Sequence, residues 1–154
     1  MSNRLVIPAD AGIHYEDLLA VPWKQGGRSL SGLDCYGLVK ELFARLGRNL
    51  PEIDPTPEAV ADLDGLIIPA CLELGEKIDN PEAYCVVVFA MHPPWVSHMG
   101  VVLPENKFIH ALRRRTVQVN RLNDPYWQGK IAGYYRYRDV IPAPRSVIPA
   151  KAGI

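Results

Sequence analysis

An α+β domain with an antiparallel sheet is the fold class this sequence predicts, and three observations carry it. Apolar residues recur at helical spacing through the first half of the chain, as in Leu38, Val39, Leu42, Phe43 and Leu46. The second half is instead a series of short β-branched and aromatic runs. Short joins, among them Pro93-Pro94 and the turn Pro104-Glu105-Asn106, separate those runs, as between antiparallel neighbours. The 154 residues are 48% hydrophobic, enough for the core of one compact domain.

Taken in order, His14 to Ala20 reads as a short helix with Tyr15, Leu18 and Leu19 on its apolar side. Pro22-Trp23 and the glycine-rich turn KQGGRS follow. Gly26-Gly27 is not followed by the Lys-Ser/Thr of a phosphate loop, and no strand precedes it. The two glycines are better used for close backbone approach beside the next helix. That helix begins at Cys35 and ends at Gly47, with Ser31 or Asp34 as its N-cap and Lys40, Glu41 and Arg45 on the exposed side. Cys35 therefore falls in the first turn, where free N–H groups and the helix dipole are expected to lower a thiol pKa.

Pro57 to Gly75 is a second helical segment. Gly65 and Pro69 predict either an interrupted helix or two shorter pieces, with Cys71 in the core. Strands are expected over Tyr84–Met91, Val96–Leu103, Lys107–Leu112, Thr116–Asn120 and Ile131–Arg138. Val6 to Ile13 (VIPADAGI) and Val147 to Ile154 (VIPAKAGI) are near-copies differing at one position. Two copies do not make a solenoid. The expected organisation is one domain over residues 14–140, with residues 1–13 and 141–154 as terminal extensions.

The charge balance, 17 acidic against 17 basic residues, gives no basis for binding nucleic acid or an anionic membrane. No apolar run is long enough to cross a bilayer, and MSNRLVIPAD lacks the core of a signal peptide, so synthesis and folding in the cytoplasm are expected. Three widely spaced cysteines, with no C-x-x-C pair, predict neither a disulfide framework nor a structural zinc site.

His98 and His110 lie on adjacent predicted strands joined by a tight turn, so both can project from one face. If the helix of Cys35 packs its N-terminus on that sheet, a thiol, an imidazole and a second imidazole line up. One imidazole would act as base for the thiol while the other fixes the base's tautomer. The same residues also suit half of a metal site, with Cys35 as a third ligand. His14 and His92 read as solvent-facing or structural.

The chain resembles the NlpC/P60 cysteine peptidases, and among them the phage-encoded members. The matching segments are Pro22-Trp23-x-x-Gly26-Gly27-Arg28-Ser29, Gly32-Leu33-Asp34-Cys35-Tyr36-Gly37-Leu38-Val39, His98-Met99-Gly100-Val101-Val102-Leu103, Lys107-Phe108-Ile109-His110-Ala111, Tyr126-Trp127 and Gly133-Tyr134-Tyr135-Arg136. The likeness spans about residues 14 to 138 and implies a papain-like fold, N-terminal helices packed on an antiparallel meander. By it Cys35 would be the nucleophile, His98 the general base and His110 the orienting residue, with no metal and no cofactor. Trp23, Asp34 and Tyr36 would contact the substrate, a bacterial cell-wall stem peptide cut between D-γ-glutamyl and a diamino acid. The phage likeness implies a virion-associated protein acting at the wall beside tail-tip proteins. Trp23 replaces the family's usual tyrosine, Tyr36 its usual serine, and Tyr84-Cys85 its usual Gly-Asp. A non-catalytic tail or wall-binding part, and a thiol-dependent amidase or acyltransferase, fit the same residues.

Overall fold

The computed structural model describes residues 13–53 and 60–137. The two octapeptide copies lie outside the described residues, apart from Ile13, which is buried in the core. The proposed start of the second helix at Pro57 lies outside them too.

The first half builds from the inside of a helix outward. A single 3-10 turn, Glu16–Leu18, replaces the short helix expected over residues 14–20. Ala20 adopts a positive φ of 72° and Pro22 follows, so helical geometry cannot propagate. A two-residue hairpin comes next, β1 (Arg28–Ser29) with β2 (Gly32–Leu33), and delivers the chain into α1, Cys35–Arg45. Leu38, Val39, Leu42 and Phe43 are buried along one stripe of α1, as the periodicity predicts. Asp34 is the N-cap, its side chain accepting the Gly37 N–H at 2.7 Å. A Cβ on Gly37 would lie 2.1 Å from the carbonyl oxygen of Gly27, so the glycine-rich turn presses on the first turn of α1.

The second helix, α2, is continuous over Val60–Leu74 with Pro69 inside it. The proline ring opposes the carbonyl four residues back, which belongs to Gly65, a residue with the freedom to adjust. Gly75 then opens β3 (Gly75–Ile78), a strand the sequence pattern did not signal.

Strands β4 (Val86–Phe89), β5 (His98–Leu103), β6 (Lys107–Ala111) and β7 (Val117–Arg121) form an antiparallel meander. The first is shorter than the Tyr84–Met91 run suggested, because Tyr84 sits at φ 68° and leaves the extended region. After α3 (Pro125–Gln128), β8 (Ile131–Tyr137) returns to insert between β3 and β4, giving the order β3-β8-β4-β5-β6-β7. Helix α1 packs on β5 and β6, and α2 on β3 and β8. The core between helices and sheet includes Val86, Val88, Met99, Val101, Ile109 and Tyr135. Alternation puts Val87, Phe89, Val102 and Phe108 on the other face, beneath Trp127 of α3. Among the described residues, no helix is long and apolar enough to cross a membrane.

Candidate active site

Cys35 is the first residue of α1, as expected, and its sulfur receives hydrogen bonds from the backbone N–H groups of Met99 and Tyr36. Met99, whose amide meets the thiol, is the second residue of β5 and His98 the first, and alternation sends the His98 ring to the opposite face, beside Phe89 and Trp127.

The two histidines share a face. His110 pairs with Gly100, which places His98 diagonally across the β5–β6 ladder. His98 Nε2 and His110 Nδ1 are 2.8 Å apart, and His110 Nε2 lies 2.7 Å from Asn120 Oδ1 on β7. Gly100 makes this possible. A Cβ there would stand 2.7 Å from the Ile109 carbonyl oxygen and 3.0 Å from His110 Cβ. The spacing H-x-G thus keeps the neighbouring strand, with its histidine, close. Phe89, Phe108 and Trp127 surround both rings, with Trp127 edge-on to His110 at 4.7 Å between centroids.

That aromatic box explains the electrostatics. His110 is fully buried, and burial pushes its pKa down to about 4 against the opposing effect of its hydrogen bond to Asn120 Oδ1. His98 is lowered well below the ordinary histidine value by burial and then by His110. Both rings are neutral at neutral pH, so each has one N–H and one lone pair.

The thiol departs from the expectation of a lowered pKa. Burial, followed by the Asp34 charge, pushes Cys35 up to about 12, although the Met99 and Tyr36 amides pull the other way. The reason is local. The Asp34 side chain caps α1 by accepting the Gly37 N–H. The cap also sets a carboxylate beside the thiol.

The residues expected to contact substrate sit differently from one another. Asp34 is buried, and its two oxygens are engaged by Gly37 N–H, Gly26 N–H at 2.9 Å and Arg28 Nη1 at 2.8 Å. It fixes the first turn of α1, with Oδ1 accepting two of these bonds and Oδ2 one. Trp23 is half-buried, bridges Leu33 and carries the Arg113 guanidinium 4.9 Å from its ring centroid. Tyr36 is buried, and its hydroxyl donates to the Pro51 carbonyl.

Cys35 and Tyr36 also line a half-open, almost wholly apolar cavity between α1 and α2, with Phe43, Ile67, Met99 and Tyr135 among its walls. Cys71 lines it as well, and all three cysteines are free thiols. Among the described residues no three His, Cys, Asp or Glu side chains are grouped to hold a metal ion.

Sequence reading missed two participants. Asn120 closes a strand the pattern did predict, and its register opposite Phe108 puts it diagonal to His110. Only the register reveals this. The Met99 amide is backbone and leaves no signal in the residue type.

Comparison with known proteins supports the same region. The model of the NlpC/P60 family matches residues 20–136. The gamma-DL-glutamyl hydrolase of Bacillus subtilis is 30% identical over 86% of this chain and 30% of its own length. The murein DD-endopeptidase MepS/murein LD-carboxypeptidase of Escherichia coli is 26% identical over 74% of this chain and 54% of its own length. The chain thus spans about a third to a half of these curated relatives. In fold it is similar to an NlpC/P60 family protein from Bacillus cereus, with TM-score 0.60 and 22% identity over 79% of this chain and 37% of that one. It is also similar to the NlpC/p60 domain of the peptidoglycan hydrolase SagA, with TM-score 0.58 and 19% identity over 84% of this chain and 98% of that one.

Proposed function

The chain belongs to the NlpC/P60 family, and from that premise we propose that it is a cysteine peptidase cutting an amide bond in bacterial cell-wall stem peptides, of the D-γ-glutamyl–diamino acid type. The observation that carries this reading is the run Cys35, His98, His110, Asn120. In that run the thiol, at a helix start, meets the amide of Met99, the residue after His98, and His98 is hydrogen-bonded to His110 and through it to Asn120. The names of the curated relatives, a glutamyl hydrolase and murein peptidases, support the substrate class.

In this reading the raised thiol pKa matters. Cys35 rests as a neutral thiol, so the proton must leave as the sulfur attacks, and His98 takes it as general base. His110 holds the His98 ring in place. The amide carbon gains the sulfur, the imidazolium returns the proton to the leaving amine, and water then releases the acyl group from sulfur. The Met99 and Tyr36 amides ease loss of the thiol proton by donating to the sulfur. Trp23 and Tyr36 form the substrate wall, and Asp34 acts by holding the first turn of α1.

The domain reading, residues 14–140 with two terminal extensions, is part of the proposal. So is association with a phage tail, which rests on the likeness to phage-encoded members, Tyr36 after the cysteine included. Digestion of purified peptidoglycan, with mass spectrometry of the fragments, tests the peptidase reading. Wild type should release peptides cut after D-glutamate and Cys35→Ala should release none. Fragments identical with and without Cys35 would refute it. Weak binding of the isolated chain to sacculi is expected if a particle supplies targeting. Tight, saturable binding would remove the case for a tail component.

The apolar cavity beside Cys35 favours a second reading, a thiol-dependent amidase or acyltransferase whose acyl group is apolar. Ester substrates of increasing acyl length separate the two. A rate that rises with chain length supports the second, and a rate confined to stem peptides supports the first.

A further inference from the structure

We propose that Asn120 is a positioning residue that sets the tautomer of both histidines, and so leaves His98 Nδ1 as a bare lone pair. The chain of hydrogen bonds fixes the direction once its last member is known. Asn120 Oδ1 faces His110 Nε2 at 2.7 Å, and a carbonyl oxygen only accepts, so His110 carries its proton on Nε2. A neutral ring then has a lone pair on Nδ1. That atom faces His98 Nε2 at 2.8 Å and must accept from it. His98 therefore donates through Nε2–H and keeps Nδ1 unprotonated. A proton can be taken up at Nδ1 and nowhere else on that ring.

The reverse arrangement makes the stakes plain. With the amide turned over, Asn120 Nδ2–H would donate to His110 Nε2. His110 would carry Nδ1–H, His98 would accept at Nε2, and its own proton would sit on Nδ1. A base protonated there cannot accept from a thiol. One amide on β7, two strands away from His98, thus decides whether the imidazole can act as a base. The rings lie inside an aromatic box of Phe89, Phe108 and Trp127, and among the described hydrogen bonds none runs from that box to either ring. His110 Nε2 faces only Asn120 among the described hydrogen bonds. The consequence for catalysis rests on the thiol–histidine reading above, whereas the tautomer itself does not.

Nitrogen-15 NMR of the histidine-labelled full chain tests the tautomer without substrate. Pyrrole-type and pyridine-type ring nitrogens are told apart by their shifts and by their two-bond couplings to the ring protons. Wild type should show pyrrole-type Nε2 and pyridine-type Nδ1 on both His98 and His110. The opposite pattern on either ring overturns the proposal outright. Asn120→Asp supplies a group that can only accept, and at about pH 9, where the rings stay neutral, it should keep the wild-type pattern. A reversed pattern in that variant relative to wild type would show that Asn120 donates, and would equally overturn it. Asn120→Ala should give mixed tautomers, with kcat on stem peptides down on the order of 10- to 100-fold and KM little changed. A single wild-type tautomer with unchanged kcat in the alanine variant would mean that Asn120 sets nothing. If wild type shows the expected tautomers yet cuts no stem peptide, the peptidase reading fails while the tautomer assignment stands.

Discussion

Acidification should unfold this protein through its histidine pair, and His110 supplies the magnitude. An unfolded histidine titrates near 6.5, whereas burial in the fold brings His110 down to about 4. Above pH 6.5 both states are neutral and the fold keeps its full stability. Between 6.5 and 4 the unfolded chain binds a proton that the folded chain refuses. Each pH unit in that window then costs about 1.4 kcal/mol for this one group, and the whole window costs on the order of 3 kcal/mol. Below pH 4 the loss stops growing, because the folded ring is protonated as well. His98 is shifted in the same direction and steepens the slope, although two protons on so close a pair titrate as a unit. The loss is large against a typical domain stability of about 5–15 kcal/mol. Urea unfolding of wild type and His110→Gln, followed from about pH 7.5 to about pH 4, isolates the contribution, since carboxylates common to both cancel. The stability of wild type should fall more steeply than that of the variant, by up to about 1.4 kcal/mol per pH unit. Parallel curves would refute the argument, because they would mean that His110 accepts protons equally well in both states.

Other perturbations test separate parts of the structure. Asp34→Ala removes the helix cap, leaves the Gly26 and Gly37 amides without this acceptor and takes one of several from Arg28, at an expected cost of about 2–4 kcal/mol by urea unfolding. Asp34→Asn, itself a good cap, should recover about half of that. Gly100→Ala should part β5 from β6, lowering stability by about 1–3 kcal/mol and breaking the His98–His110 contact, which the histidine nitrogen shifts would report. Leu38→Ala, at a fully buried position on α1, should cost about 2–5 kcal/mol in thermal or urea unfolding. Cys71→Ala should lose about 1 kcal/mol of stability and leave stem-peptide hydrolysis within about twofold of wild type, a ratio read from initial rates.

What the sequence by itself determined here is whatever depends on near neighbours or on period. The apolar stripe of α1, its Asp34 cap and the placement of Cys35 in its first turn follow from residues a few positions apart. So do the β-branched runs and tight turns that become β4 to β7. The common face of His98 and His110 was legible because two strands and one turn fix their register. The likeness to the NlpC/P60 family was likewise legible, since it rests on the order of short motifs. Tertiary structure alone decided the rest, because those features depend on groups far apart in the chain. The insertion of β8 between β3 and β4 is a long-range pairing, and β3 exists only because β8 is there to pair with it. Pro69 argued locally for a broken α2, and packing against β3 and β8 overrode it. The helix dipole argued for an acidic thiol. Burial and then the Asp34 charge outweighed it, since removing a thiolate from water costs more than the dipole returns. Asn120 is the plainest case. Its residue type says nothing, and only the register of β7 against β6 brings its amide to His110.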